Sequence, residues 1–583
     1  MFRTGFGQEI PRYLDDLLWV ASFVYMADRG VLRYTPKDVF ADRWCRGFRM
    51  VVPVWDLALW QDPKVQLALD ETLRFLTGDE WSFEFVQRAE GEPIQKVLHF
   101  HEPIHPLPRA DVVILFSGGA DSLAAVLEAV QQGHRPVLVS HRAAPVVDAR
   151  QRNLVGLIRK RYPAWDFPHI SMWVNRKGGP RTKEQSQRSR SFLFASLGVV
   201  TAAMLGLDDV RLCDNGVVSI NLPQSGQNVG TFLTRSTHPR HLELLQEFAR
   251  ILTGRAGLTI RNTFIYKTRR EVFEDIRASG HPELLQETVS CAHLEAMTKQ
   301  QPHCGVCSQC IDRRFASIAA EMQMYDLAKR YEKDIFIGPL GEGVERTHAE
   351  NYVRFARLLE ELPNADAFFK QFPELYDCLP TDGNPDWHGE QLWSLFQRHQ
   401  QNVNGVLDLM IGHHAALIRR GTLPPTSLLG LMGRGQHVVD PRDRCAHRLR
   451  DLLCSALPSA FQTEEARSER HVQDVGEAVF QGAMETLYRE TPQLPFGAVT
   501  TKADFSDLPT DGAKPLFLEF KYVRGRDRLN GIQTEMTSRV LVYRQQGACV
   551  LFIVYDPNAA ITNIGQFTVD FECHEGVWVG VAR

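Results

Sequence analysis

The sequence lacks several features that would assign it to a class at once. No apolar run approaches the roughly 20 residues that a membrane-spanning helix needs. The net charge is only −4 over 583 residues, so no global charge attracts the chain to nucleic acid. The apolar stretch from Leu17 to Met26 follows Asp15 and Asp16, whereas a signal peptide carries positive charge there. We therefore expect a cytoplasmic protein with no membrane partner.

Internal repeats, low-complexity tracts and the Gly-Lys-Ser/Thr of a Walker loop are also missing. A chain of 583 residues is too long for one hydrophobic core, so several domains are expected. The composition, 44% apolar and 23% charged, is typical of a soluble globular protein. Most of the eleven cysteines are scattered, which fits a reducing compartment, but four lie close together.

The most informative segment joins a buried strand to a helix. Residues 117–122 read Ser-Gly-Gly-Ala-Asp-Ser, directly after the apolar run Val112–Phe116. Its two glycines remove β-carbons that would keep a phosphate from the backbone, and the helix start offers free N–H groups to an anion. The serine hydroxyls add donors, and an aspartate beside a phosphate indicates a metal ion as well. An ordinary strand-turn-helix junction is the alternative.

This segment resembles the PP-loop of the N-type ATP pyrophosphatases, within an adenine nucleotide alpha hydrolase-like parallel sheet. The resemblance implies that the loop holds the β,γ-pyrophosphate while ATP is cut between its α- and β-phosphates, which leaves an adenylated substrate. Asp121 would be catalytic. The implied ATP-binding residues are Ser117, Gly118, Gly119, Ala120, Asp121, Ser122 and Arg190.

The four clustered cysteines, Cys291, Cys304, Cys307 and Cys310, lie within twenty residues. Two-residue spacers let neighbouring thiolates point at one ion, and four thiolates suit tetrahedral zinc. With no open position, the zinc would be structural. Two alternatives are an iron–sulfur cluster and a site in which His303 replaces one thiolate, although an exposed position for His303 next to the ligands is expected.

Together the two motifs resemble the 7-cyano-7-deazaguanine synthase (QueC) family over about residues 108–325. Arg190-Ser191 stands where that family has Arg-Asn, and Thr268-Arg269-Arg270-Glu271 where it has Thr-Lys-x-Glu, so substrate contacts are expected to differ. Asn215-Gly216 and Arg235–Pro239 instead resemble QueC-like proteins of bacterial antiphage systems, the Qat type and one class of cyclic-oligonucleotide (CBASS) systems. The resemblance implies activation of a deazaguanine-type carboxylate by AMP transfer. Ammonia, a protein amine or another amine would then attack the mixed anhydride.

The C-terminal region has a second pattern. A helix is predicted over Glu464–Tyr488 with Glu477, a strand over Phe496–Phe505 with Asp504, and a strand over Leu516–Val523 with Glu519 and Lys521 on one face. A helix over Arg528–Gln545 and a strand over Ala548–Tyr555 follow.

This order resembles the PD-(D/E)xK nuclease core. It implies that Asp504 and Glu519 hold Mg²⁺, which polarises a phosphate and activates water, with Lys521 and Glu477 assisting. The alternatives are an edge strand with alternating charges and a nuclease-like domain kept only for binding.

The sequence thus predicts an α/β protein in four parts. These are an N-terminal α+β domain (1–105), the PP-loop domain with its zinc site (106–325), a helical domain (326–460) and a restriction-endonuclease-like α/β domain (461–583). We expect an antiphage defence protein that uses ATP, Zn²⁺ and Mg²⁺, ligates a deazaguanine-type acid, cuts nucleic acid and works with other defence subunits. Two alternatives stay open: a deazaguanine biosynthetic or nucleic-acid-modifying enzyme whose C-terminal domain only binds DNA, and an assembly subunit that binds ATP structurally.

Overall fold

The structure is a computed structural model, and its described part forms two compact units. Residues 10–32 and 45–433 belong to the first and residues 441–583 to the second, with gaps in both. The described residues are 10–32, 45–89, 109–142, 145–173, 184, 188–224, 235–293, 298, 300–341, 344–380, 384–433, 441–462, 464–483, 487–490, 493–496, 499–507, 515–545, 547–572, 574 and 576–583.

The first unit alternates strands and helices along its N-terminal half and is helical afterwards. Its strands are β1 (Gly47–Val54), β2 (Glu80–Gln87), β3 (Val112–Leu115), β4 (Pro136–His141), β5 (His169–Met172), β6 (Asp209–Arg211) and β7 (Thr259–Arg261). Its α-helices are α1 (Arg12–Gly30), α2 (Leu57–Trp60), α3 (Pro63–Thr77), α4 (Ala120–Gln131), α5 (Pro145–Arg161), α6 (Arg190–Leu205), α7 (Gly216–Ile220), α8 (Pro239–Thr253), α9 (Arg269–Ala278), α10 (Ser308–Ala319), α11 (Val344–Glu361), α12 (Ala365–Gln371), α13 (Pro385–His413), α14 (Ala415–Arg420) and α15 (Leu428–Gly433). Short 3₁₀ helices lie at Pro282–Glu287, Ala328–Arg330 and Pro373–Cys378.

A five-stranded parallel sheet forms the centre of this unit, in the order β5-β4-β3-β6-β7. Strand β3 is buried along its whole length, as the apolar run Val112–Phe116 predicts, and the neighbouring β4 is buried too. The strand order reverses between β3 and β6, and ligands of such sheets bind at the carboxyl ends of the strands beside this point. The predicted mixed α/β fold with parallel strands is confirmed at this level.

The N-terminal elements share a hydrophobic core with one side of this sheet. Buried side chains of α1, α3, β1 and β2 pack in one cluster with those of α6 and α8. The parallel pair β1–β2 forms a small sheet of its own. A buried ion triad ties these elements together: Arg46 Nη2 lies 2.6 Å from Asp28 and 2.7 Å from Asp79.

Helices α11 and α13 pack against each other in the C-terminal part of the first unit. Their cores join α10 and the cysteine cluster on one side, and α7 on the other. Gly216 at the start of α7 is required by close approach, because a β-carbon there would lie 1.9 Å from the Ile265 carbonyl oxygen.

The second unit is built on a mixed five-stranded sheet in the order β14-β13-β12-β11-β8. Strands β12, β13 and β14 are parallel, and β11 is antiparallel to both of its neighbours. Helices α16 and α17 cover one face, and α18 and α19 the other. The elements are α16 (Pro441–Ala460), α17 (Glu469–Gly482), β8 (Tyr488–Arg489), β9 (Gln493–Phe496), β10 (Val499–Lys502), β11 (Phe505–Ser506), β12 (Leu516–Tyr522), α18 (Arg526–Gln545), β13 (Cys549–Tyr555), α19 (Ile564–Glu572) and β14 (Val577–Ala582).

Two predicted elements of this unit have different bounds in the structure. The helix predicted over Glu464–Tyr488 begins at Glu469 and ends at Gly482, and Tyr488 lies in β8. The single strand predicted over Phe496–Phe505 is replaced by a hairpin of β9 and β10 followed by the short β11. Among the described helices of both units, none combines the length and apolar composition needed to cross a membrane.

Candidate functional sites

The Ser117–Ser122 loop lies at the carboxyl end of the central strand β3. Gly118 has φ +85°, a backbone conformation that favours glycine, and α4 begins at Ala120. The Ser122 hydroxyl accepts from the Gly118 N–H (3.2 Å) and donates to the Gly119 carbonyl (3.0 Å). The Ser117 hydroxyl accepts from the Gly119 N–H (3.3 Å). The loop thus curls around the start of a twelve-residue helix, where both serine hydroxyls and the helix dipole lie together.

Asp121 is buried in a polar cluster beside this loop. Its Oδ2 accepts from the backbone N–H of Asn215 (3.1 Å) and from its side-chain amide (3.0 Å), whereas Oδ1 has no hydrogen-bond partner among the described residues. Asp214, which follows β6, accepts from the Thr237 hydroxyl (3.0 Å). Burial and the nearby Asp121 raise the pKa of Asp214 to about 7. Two carboxylates in this arrangement could hold a divalent cation, which would keep both ionised.

Arg269 connects Asp121 to the helix that carries the last of the four cysteines. Its Nη2 lies 3.7 Å from Asp121 Oδ2 and donates to Gln309 (2.9 Å), while its Nε lies 2.7 Å from Asp312. Gln309 and Asp312 belong to α10, which starts directly after Cys307. Thr268 and Glu271 form a capping box that begins α9 and fixes Arg269 at the first helical position. The departure from Thr-Lys-x-Glu therefore places a guanidinium beside the loop aspartate.

The predicted cysteines converge on one point. One ligand atom from each of Cys291, His293, Cys304 and Cys307 lies within 4.8 Å of the others, and Cys310 Sγ is 3.9 Å from Cys304 Sγ. Tetrahedral bonds of 2.3 Å place two sulfur ligands about 3.8 Å apart. Hydrogen bonds from the Cys291, Cys307 and Cys310 thiols lower the pKa of Cys304, which favours the thiolate. The cluster could therefore bind a metal such as zinc.

The histidine at this cluster is His293 and not His303. His293 is exposed, and its backbone N–H donates to Cys291 Sγ (3.4 Å). His303 is fully buried and stacks on Tyr331 with 4.8 Å between ring centroids, so its expected exposed position is wrong. The cysteine cluster also borders the Ser117–Ser122 loop, because the Val289 N–H, two residues before Cys291, donates to the Gly118 carbonyl (3.3 Å).

Arg190 is the first residue of α6 and is exposed. Burial and then the Arg190 charge lower the pKa of His141 at the end of β4, and the same charge partly offsets the rise in the pKa of Asp214 after β6. These two residues flank the carboxyl end of β3, so Arg190 lies near the loop that the sequence assigns to ATP.

The second unit brings Asp504, Glu519 and Lys521 together. Asp504 Oδ2 accepts from the Phe520 N–H (2.8 Å), and Lys521 Nζ lies 3.4 Å from Glu519. Glu519 and Lys521 are almost completely buried. Burial and the nearby Glu519 raise the pKa of Asp504 to about 7. The chemistry of this donor set fits a divalent cation held by oxygen ligands, with an ammonium beside it.

Helix α18 adds Tyr543 and two residues that the sequence analysis missed, Glu535 and Arg539. Glu535 lies 3.0 Å from Lys521, Arg539 lies 4.0 Å from Glu519, and the Tyr543 hydroxyl donates to Glu519. Their spacing of four residues places them on one helix face, which is a signal that can be read from sequence. The close packing of helix α17 on β12 depends on Gly476, where a β-carbon would lie 2.4 Å from Phe520.

The glutamate that reaches this site from α17 is Glu469 and not Glu477. Glu469 lies 3.3 Å from Lys521, whereas Glu477 lies 2.8 Å from Arg489 and accepts from Gln481. The two are eight residues apart on one helix, about 12 Å along its axis, so they reach different partners. The described site carries four carboxylates and two cationic side chains. The carboxylates are Asp504, Glu519, Glu469 and Glu535, and the cations are Lys521 and Arg539.

A search against protein-family models finds no match for this chain, and a search of the curated proteins finds none either. The functional interpretation of both sites therefore depends on their geometry and on the resemblance of their motifs.

Proposed function

We propose that the first unit binds ATP at Ser117–Ser122 and transfers AMP to a carboxylate, with release of pyrophosphate. The observation that carries this proposal is the loop itself: a strand, a glycine at φ +85°, two hydroxyls bonded to the loop backbone and a helix start at the carboxyl end of the central strand. Phosphate binding at such a helix start needs only free N–H groups and the helix dipole. The resemblance to N-type ATP pyrophosphatases supports a cut between the α- and β-phosphates.

The residues around the loop support this chemistry. A carboxylate oxygen of the substrate attacks the α-phosphorus, the bond to the bridging oxygen breaks, and its electron pair leaves with pyrophosphate. Asp121 and Asp214 would hold Mg²⁺ against the phosphates, and Arg269 would balance developing negative charge. The acyl-adenylate then reacts with ammonia or another amine, which displaces AMP and forms an amide. We propose a 7-deazaguanine acid as the substrate, on the resemblance alone.

The cysteine cluster would hold a structural zinc that stabilises the segments packed against the Ser117–Ser122 loop. Val289 bonds to the loop carbonyl of Gly118, and α10 carries Gln309 and Asp312 to Arg269. A metal at the start of α10 therefore fixes both the loop and its arginine.

We further propose that the second unit is a metal-dependent nuclease. Asp504 and Glu519 would hold Mg²⁺, and Lys521 would orient the attacking water or stabilise developing charge. Tyr543 and Arg539 would position Glu519. Ion pairs with Glu469 and Glu535 would position Lys521. The excess of carboxylates over cations supports a site that is completed by a divalent cation.

The combination of the two activities supports a role in antiphage defence, with partner subunits and a phage signal controlling the nuclease. An enzyme that only modifies a small molecule would need no such acidic site in the second unit.

The direct test of the first activity is ATP–pyrophosphate exchange with a carboxylate panel that includes 7-carboxy-7-deazaguanine. Asp121→Asn should abolish the exchange, and Asp166→Asn, at an aspartate whose side chain is 89% exposed, should leave it unchanged. Release of ADP and phosphate instead of AMP and pyrophosphate would refute the proposed cut.

The nuclease is tested with plasmid DNA, single-stranded DNA and RNA in Mn²⁺, and with phage protection in cells at equal expression. Glu519→Gln should lose both activities, and the exposed Glu464→Gln should keep them. Equal protection by Glu519→Gln, without cleavage of any substrate by the wild type, would leave the second unit as a binding module.

A further inference from the structure

The last turn of α1 is fixed against the first turn of α6. Asp28 Oδ2 accepts from both the backbone N–H (2.9 Å) and the hydroxyl (2.7 Å) of Ser189, the residue that precedes α6. The carbonyl of the next residue, Arg29, accepts from the Glu184 N–H (3.1 Å). These bonds bring the end of α1, which carries Arg29, to the start of a sixteen-residue helix, which carries Arg190, and the charges of both arginines reach His141.

A buried histidine lies at the same point. His141 ends β4, the strand next to β3, and it is only 3% exposed. Neither of its ring nitrogens has a hydrogen-bond partner among the described residues, and its ring meets Tyr25 edge-on at 5.7 Å. Burial, Arg190 and Arg29 lower the pKa of His141 to about 4, so the ring is neutral at physiological pH. A neutral imidazole offers one donor and one acceptor to a ligand.

The two arginines at this point form no ion pair within the described part of the chain. Arg29 donates to the Tyr25 hydroxyl (3.2 Å), and neither Arg29 nor Arg190 has an ion pair with a described carboxylate. The first N–H groups of α6 add the positive end of its dipole, and the Ser191 hydroxyl is also without a described partner. Two guanidinium groups and a helix start, beside a buried unpartnered imidazole, form a site for an anion.

We propose that Arg29, His141 and Arg190 bind the carboxylate that the first unit activates, so that Arg190 serves this acid and not ATP, to which the sequence resemblance assigns it. This inference rests on the proposed adenylation. The phosphate loop at β3 already accounts for pyrophosphate, and a second anion one strand away is where an attacking carboxylate would be needed. Guanidinium groups match a carboxylate with two parallel hydrogen bonds, and a neutral imidazole adds a hydrogen bond without a proton transfer.

This assignment gives the N-terminal region a role in the choice of substrate. Arg29 lies outside residues 108–325, which carry the sequence resemblance, so its contact would be a property of this chain. Arg29 would be a binding residue, and Asp28 a positioning residue that acts through Ser189 and the orientation of α1.

Equilibrium dialysis with labelled 7-carboxy-7-deazaguanine tests the inference, in the presence of α,β-methylene-ATP, which cannot release pyrophosphate. Arg29→Gln should weaken binding of the acid about tenfold or more, the loss expected for one charge-assisted hydrogen bond. Arg29→Lys keeps the charge and should lose less. Affinity for the ATP analogue should change less than about twofold, on the same scale. Arg12→Gln, on the opposite end of α1, is the matched control and should behave as wild type.

The outcomes separate the inference from the proposed reaction. Weaker binding of the ATP analogue by Arg29→Gln, with unchanged binding of the acid, would assign the anion site to a phosphate and overturn the inference. Unchanged binding of both ligands, or no binding of the acid to the wild type, would overturn it too. Binding of the acid that depends on Arg29, in an enzyme without ATP–pyrophosphate exchange, would support the subsite and refute the adenylation.

Discussion

Asp504 should destabilise the second unit as long as no metal is bound. Its carboxylate is close to Glu519, Lys521 and the Phe520 N–H, and burial and Glu519 raise its pKa from the usual 3.8 to about 7. The charged form therefore costs folding free energy. Asp504→Asn removes that charge and keeps an oxygen that can accept from the Phe520 N–H. We expect the variant to be more stable than the wild type and inactive as a nuclease.

The size of the effect follows from the pKa shift. Roughly three pKa units at 1.36 kcal/mol each give an upper limit of about 4 kcal/mol, and partial exposure with relaxation reduces it to about 2 kcal/mol. A raised folded-state pKa means that the cost is absent below about pH 4, where the carboxyl is protonated in both states. The cost grows between about pH 4 and 7 and is complete above pH 7. The gain from Asp504→Asn should follow the same window.

Hydrogen exchange of the β12 amides in the full-length protein measures this gain locally. At pH 8 with EDTA, Asp504→Asn should raise protection of Leu516–Tyr522 about thirtyfold, which corresponds to about 2 kcal/mol. Mg²⁺ should protect the wild type and leave the variant unchanged. Asp474→Asn, at a more exposed aspartate paired with Arg489, should give no gain. Lower protection of Asp504→Asn without metal would refute the electrostatic reasoning.

Three further results are expected. Cys307→Ser should lower the zinc content from about one per chain and also lower the melting temperature, because metal binding contributes folding free energy; elemental analysis and calorimetry check this, and zinc loss without a change in melting would contradict the structural role. Lys521→Ala should keep Mn²⁺ binding by calorimetry and slow cleavage in single-turnover assays, since the lysine acts on water and on charge that develops in the transition state; loss of metal binding would count against that role. Glu469→Gln should reduce cleavage more than Glu477→Gln, because only Glu469 contacts Lys521; the reverse order would restore Glu477 to the site.

The features that the sequence predicts well are those with a local physical cause. The apolar run of β3, the glycine turn and the helix after it are adjacent in the chain, so their pattern is read directly. Side chains alternate between the two faces of a strand, and this local pattern places Glu519 and Lys521 on one face of β12. Cysteine spacing likewise predicts convergence, because two-residue spacers bring neighbouring thiols to one point.

The features that were missed depend on contacts between distant segments. Arg269 meets Asp312, which is 43 positions later in the chain, and no local pattern indicates that α10 packs there. Asp214 could have been predicted as a site residue from sequence, since it follows the apolar end of a strand. Glu469 and Glu477 are equally plausible from sequence, and only the direction in which α17 crosses β12 decides which one reaches Lys521.

The triad of Arg46, Asp28 and Asp79 has a consequence for how this protein can evolve. All three side chains are buried, so loss of one leaves an uncompensated charge in the core, which is more costly than loss of the whole set. Relatives should therefore keep the three residues together or replace them together with apolar side chains. Because Asp28 also holds Ser189, a lineage that exchanged the triad for apolar packing would release the end of α1. That end of α1 would then be free to shift relative to the start of α6 while the fold stayed intact.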